Sequence, residues 1–283
     1  MSGTALRRRL MDRSVTVFCI FAVLLALLPL LHILGFVLGQ GLPAMTGTFF
    51  TSLPKPVGET GGGMANAIAG TLVLILLAGT IAVPVGIVSG VYLSEYHRTR
   101  LATAVRLSAD VLNGVPSIVV GIFAYTIVVL PMKRFSAMAG GVALAMIMIP
   151  LIVRTTEELL RLVPPTLRDG ALALGATRAR AVFTVILPSA LPGLVTGILV
   201  ALARVGGETA PLLFTAFNSR YWSFDLRQPI ASLTVQVYTY AISPYEDWHR
   251  QAWAGAAILI ATVLCFSFLA RLATRRLQRM GRV

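Results

Sequence analysis

The chain has 283 residues, of which 57% are hydrophobic and only 12% charged, with a formal net charge of +13. So apolar a composition excludes an ordinary soluble core and points to a polytopic membrane protein. The positive balance does not point to nucleic acid, because the arginines sit mostly between apolar stretches, where they set topology. In chain order, Arg7, Arg8 and Arg9 precede a first apolar run at 14–38. That run exceeds 20 residues and lacks a clear small-residue cleavage site, so a retained span is expected rather than a removed signal peptide. Further spans are expected at 66–93, 109–131, 138–153, 191–217 and 252–273, giving six transmembrane helices able to cross roughly 30 Å of hydrocarbon.

An even number of spans puts both termini on one side, and basic residues choose that side. Seventeen of them, including Arg13, Arg98, Arg100, Arg106, Arg154, Arg161, Arg168 and the C-terminal arginines, fall on the side of the termini. The opposite loops hold six: Lys55, Lys133, Arg134, Arg220, Arg227 and Arg250. Both termini are therefore expected in the cytoplasm. Cys19 and Cys265 lie inside expected spans and read as small apolar residues. His32, His97 and His249 lack metal-ligand spacing, so no metal site is expected.

Two outer segments are long, 39–65 and 218–251. The second carries Tyr221, Trp222, Tyr238, Tyr240, Tyr245 and Trp248, and its stretch 229–242 is expected as a short helix lying flat at the interface. It is either a docking surface for an outer partner or an anchor belt. Asn66 and Thr71, after Gly61-Gly62-Gly63, either line an outer mouth or pack between helices.

Arg204 and Glu208 stand four residues apart within an apolar run. A charge at bilayer depth costs roughly 3 kcal/mol, so such residues are usually buried in protein and functional. On a continuous helix their side chains lie within about 40° of each other. A guanidinium fork beside a carboxylate suits a polar, anionic solute, with Thr209 next in line; the alternative is an ion pair that locks helices together. Arg154, at the inner end of the fourth span beside Thr155 and Thr156, is either an exit contact or a snorkelling arginine. Asn113-Gly114-Val115-Pro116-Ser117 reads as a broken or newly started helix. Asn113 and Ser117 there either meet an anion at a helix N-terminus or simply cap it.

Between the fourth and fifth spans, Pro164 and Pro165 open a short helix expected at 165–174, and Gly175 ends it. Asp169-Gly170-Ala171, Gly175, Val185, Leu187 and Pro188 have the spacing of the EAA loop, and here the sequence resembles the permease subunits of bacterial ABC importers. Asp, Gly and Val stand where Glu, Ala and Ile are usual. Asn113–Gly121, Pro150–Glu157, Ala203–Thr215, Gly61–Ile68 and Gln228–Ala231 further resemble phosphate-transport permeases of the PstA type.

The resemblance implies an all-α ABC importer permease in the bacterial cytoplasmic (inner) membrane. Its organisation would be an N-terminal tail, first helix and periplasmic loop at 1–60, a permease core at 61–275 with a coupling loop at about 155–190, and a basic cytoplasmic tail at 276–283. It implies phosphate import by alternating access, with a PstC-like sister permease, two copies of a PstB-like ATPase, a periplasmic phosphate-binding protein and membrane lipid as partners. The chain lacks a phosphate-binding Gly-rich Lys-Ser/Thr loop, so ATP and Mg are expected on the ATPase and no cofactor or catalytic residue in this chain. The substrate path would use Arg204, Glu208, Thr209, Arg154, Asn113 and Ser117. ATPase coupling would use Asp169, Gly170, Ala171, Gly175, Leu187 and Pro188. The alternatives are another oxyanion (sulfate, molybdate or phosphonate) or an ion-coupled secondary transporter, against which the EAA-like loop speaks.

Overall fold

The computed structural model describes residues 3–59 and 61–280. Arg282 and the end of the expected tail at 276–283 lie outside the described residues, as do the side chains of Arg7, Arg8, Arg9, Arg275, Arg276 and Arg279. The described chain is all helix and loop. We label its principal helices α1 (Gly3–Gly41), α2 (Ala65–Glu95), α3 (Arg100–Gly114), α4 (Ser117–Met132), α5 (Ala137–Arg161), α6 (Pro165–Ala173), α7 (Arg178–Gly206), α8 (Leu233–Ala241) and α9 (Glu246–Met280). Single turns at Gly47–Thr51 and Ala210–Leu213 join them.

Five helical stretches are long and apolar enough to cross a membrane, and a sixth span arises if α3 and α4 count together. They do not form the straight span expected at 109–131. The chain bends by 108° between them. Pro116 is the cause: it forces Val115 out of helical geometry, to φ −71° and ψ 130°, so α3 stops at Gly114 and α4 starts afresh at Ser117. The broken helix read at Asn113–Ser117 is what the chain builds.

The core is a pair of parallel helices, α2 and α5, packed through small residues. A Cβ at Gly86 would lie 2.5 Å from Ile152, and one at Gly90 2.4 Å from Thr156. Only glycine permits so close an approach of the two backbones, the usual device where lipid supplies no hydrophobic drive to pack helices. Helix α7 runs antiparallel beside them, with Gly193 against Leu159, Gly197 against Thr155 and Gly206 against Ile75. Leu74, Ala78, Leu144, Met148, Ala201 and Val205 fill the space between the three. Helix α1 stands apart. Its most apolar stretch is wholly uncovered, and it meets the rest near its end, where Phe36 packs edge-on to Trp253 at 5.2 Å. Such a surface belongs against lipid.

Two helices contain a π-helical turn, at Tyr125–Val129 in α4 and Val182–Ile186 in α7. Each is followed by Leu-Pro. A proline nitrogen cannot donate and its ring crowds the carbonyl four residues back, a crowding that a turn widened by one residue relieves. The Leu130 N–H then reaches the Tyr125 carbonyl, and the Leu187 N–H reaches that of Val182.

Candidate functional site

Arg204 sits in the last turn of α7, and the helix does not continue to Glu208. It ends at Gly206, with Gly207 capping it and the N–H groups of Gly207 and Glu208 reaching only the carbonyls of Arg204 and Val205. Gly206 and Gly207 propagate a helix poorly, and Pro211 has no N–H to donate back to Gly207. The i,i+4 geometry expected for Arg204 and Glu208 therefore does not form. Among the described residues the two make no ion pair with each other. Arg204 is exposed on the isolated chain, while Glu208 and Thr209 are half-buried in the unwound stretch.

A segment that the sequence placed at the interface holds this break. Residues 230–236 are buried, not flat on the surface. At Gly70 a Cβ would lie 2.1 Å from the Ala231 carbonyl oxygen, so the segment runs hard against α2. The Leu233 N–H donates to Thr71 Oγ1 at 2.8 Å, and Thr234 Oγ1 donates to the Glu208 carbonyl at 3.0 Å. Asn66 Nδ2 donates to the Ser219 carbonyl at 2.7 Å and Asn218 Nδ2 to Gln236 Oε1 at 2.8 Å. Thr71 and Asn66 are thus buried packing residues that tie the 218–236 segment to the first turns of α2. The signal that could have revealed it is the uncharged run from Gln228 to Tyr245.

At the other end of the core lies an ion cluster. Glu157 of α5 is fully buried. Its Oε1 accepts from Arg106 Nε at 3.0 Å and Nη2 at 2.6 Å, and pairs with Arg161 Nη2 at 2.7 Å. Its Oε2 accepts from Arg154 Nη1 at 2.8 Å, and Arg154 Nε reaches Asp110 Oδ1 at 3.0 Å. Three guanidinium groups against two carboxylates leave one excess positive charge and bind α3 to α5. Arg154 is among the expected site residues and Glu157, which holds it, is not. Arg154, Glu157 and Arg161 share one helix face by spacing, which was the available clue. Asn113 is exposed and Ser117 half-buried, on the two sides of the 108° bend.

Helix α6 carries Asp169, Gly170 and Ala171 on a surface where no residue of the helix is buried. Gly175 closes it at φ +82°, with the Ala176 N–H bonded to the Ala171 carbonyl at 3.1 Å, a left-handed terminus that glycine adopts without strain. The π turn and Leu187-Pro188 then lead into α7, and Ile186 is buried with Leu160, Val182 and Leu194 beneath the loop. Arg168 Nη2 donates to Glu95 Oε1, at the end of α2, at 2.6 Å.

Residues 82–279 match the model of the family described as binding-protein-dependent transport system inner membrane component. The chain belongs to this family. As such a component it is a multi-pass membrane protein and a translocation subunit. Its sequence is 44% identical to the phosphate transport system permease protein PstA of Yersinia pestis, over 93% of this chain and 90% of that one. It is 46% identical to a PstA of Xylella fastidiosa, over 94% and 93%. It is 36% identical to a probable PstA of Methanocaldococcus jannaschii, over 90% and 91%. In fold it resembles a chain of the inward-facing MetNI methionine ABC transporter, with TM-score 0.59, 21% identity and coverage of 75% and 93%. It also resembles a chain of a bacterial alginate ABC transporter, with TM-score 0.60, 14% identity and coverage of 99% and 96%.

Proposed function

We propose that this permease passes inorganic phosphate into the cytoplasm by alternating access, driven by ATP hydrolysis on a separate ATPase. The likeness to PstA permeases along nearly the whole chain carries the reading. Arg204 is the phosphate contact. It sits at the edge of a helix break, exposed on the isolated chain, and a guanidinium offers a planar donor fork matched to phosphate oxygens. Glu208 and Thr209, in the unwound stretch, supply acceptors. A carboxylate there accepts a hydrogen bond from a protonated phosphate oxygen, which sulfate lacks at neutral pH. A single arginine in the last turn of a helix gives a contact weak enough to release its ion, as a path requires.

The complex is completed by a PstC-like sister permease, two PstB-like ATPase subunits that hold ATP and Mg, and a periplasmic phosphate-binding protein. The ATPase grips α6 through Asp169, Gly170 and Ala171, with both termini of the permease on the same, cytoplasmic side. For hydrolysis to move the permease, the ATPase must favour one of its states over the other. Arg154, held by Glu157 and Asp110, serves the inner end of the path, and Asn113 and Ser117 flank it at the bend. The test is ATP-dependent phosphate uptake by the reconstituted complex with Arg204→Ala and Glu208→Ala, with sulfate as competitor. Arg204→Ala is expected to assemble and lose uptake. Uptake at the wild-type rate, or equal uptake of sulfate, overturns the assignment.

A further inference from the structure

Helix α6 has no buried residue. A helix that is to carry force needs a stiff link to the spans. Its neighbours in the chain supply one route, through the apolar cluster of Leu160, Val182 and Ile186 into α5 and α7. A second route is polar. The Arg168–Glu95 bond at 2.6 Å is, among the described residues, the one side-chain hydrogen bond or ion pair from α6 to a spanning helix. Glu95 is the last residue of α2, and its side chain is only 13% exposed. Helix α2 is in turn locked to α5 through Gly86 and Gly90, so a displacement of Glu95 is a displacement of that pair. The bond is charge-assisted and short, and its carboxylate is largely shielded from water, so it resists stretching more than an exposed surface pair does.

We propose that Glu95 and Arg168 are positioning residues that form a strut, transmitting motion of α6 directly to α2 and α5 in parallel with the covalent route into α7. The proposal rests on the reading of α6 as the ATPase grip. The strut needs a cation on α6 and an anion at the end of α2. Their roles are therefore symmetric, although only Arg168 lies on the gripped helix. That symmetry separates it from simple docking: Glu95→Gln leaves the α6 surface untouched.

The experiment is reconstitution of the full four-component complex in liposomes, reading assembly, ATP hydrolysis and phosphate uptake for Glu95→Gln, Arg168→Ala, Arg168→Lys and the charge swap Glu95→Arg with Arg168→Glu. Both Glu95→Gln and Arg168→Ala are expected to assemble and hydrolyse ATP, with phosphate moved per ATP falling about fivefold or more. Arg168→Lys keeps the charge and should retain more coupling than Arg168→Ala. The swap should recover coupling relative to either half made alone. Unchanged uptake per ATP in Glu95→Gln refutes the strut, as does a loss confined to the Arg168 variants. Should the swap fail to assemble, the comparison of Glu95→Gln with wild type still decides. If wild-type complex hydrolyses ATP but moves no phosphate, the proposed substrate fails instead, and the strut is read from transport of whichever anion is carried.

Discussion

Replacing Gly70 by alanine should damage the molecule without removing any polar or charged group. A Cβ there would stand 2.1 Å from the Ala231 carbonyl oxygen and 2.9 Å from Ile230 Cγ1. The nearer atom is backbone, so relief needs the 230–236 segment to retreat by about 1.3 Å to reach ordinary contact. Such overpacking costs roughly 1–3 kcal/mol. The same retreat stretches the 2.8 Å bond from the Leu233 N–H to Thr71 Oγ1 beyond hydrogen-bond range. A buried N–H left without its partner costs about 1–3 kcal/mol more. The two costs together come to about 4 kcal/mol, a fall in melting temperature of roughly 8–16 °C by the scaling for chains of a few hundred residues. Thermal unfolding of the purified complex in detergent would measure it. The control is Gly35→Ala in α1, where a Cβ meets nothing within 4 Å. If Gly70→Ala melts within a degree of that control, residues 230–236 are not wedged against α2 and the argument fails.

Three further outcomes follow from the same contacts. Glu157→Ala strips the shared acceptor from Arg106, Arg154 and Arg161. Because those arginines retain some access to water, the cost should fall near the lower end for a broken buried pair, about 3 kcal/mol, seen as a lower melting temperature with Glu157→Gln between it and wild type. Thr234→Val removes the hydroxyl bonded to the Glu208 carbonyl, worth about 1 kcal/mol, and should slow uptake while leaving assembly intact; uptake at the wild-type rate would show that the break needs no brace. Gly175→Ala places a side chain at φ +82° at a cost of about 1–2 kcal/mol. It should speed hydrogen exchange at the Ala176 amide by roughly tenfold without altering the spans.

The spans were legible because length and apolarity alone decide what can cross a bilayer. Helix α6 was legible because Pro165 and Gly175 punctuate it; its end differs from the expected 165–174 by one residue. The bend at Pro116 was visible in the residues, yet a span was drawn across it, because a hydropathy window averages over the break. Arg204 and Glu208 were paired on the premise of a continuous helix, which Gly206, Gly207 and Pro211 all contradict locally. Glu157 is legible only in part: Arg154 and Arg161 share its helix face, but Arg106 comes from 51 residues away, a distance that no local pattern spans. The 230–236 segment is hidden for a related reason: its aromatic neighbours mimic an interfacial belt, and only contacts with Gly70 and Thr71, distant in sequence, show that it is buried against α2.

The π turn at Val182–Ile186 acts as an azimuth setting. One additional residue in a helix rotates everything beyond it by about 100°. The widened turn, roughly five helical turns before Arg204, takes up one such residue locally, so the direction in which Arg204 points does not carry that rotation. Deleting one residue inside the π turn would tighten it to a regular helix and leave Arg204 on its present bearing. Deleting one from the regular turns of 193–203 would swing it by more than a quarter circle, away from the face it now presents. Pro188, whose ring the wide turn accommodates, follows just after it and holds the bearing set.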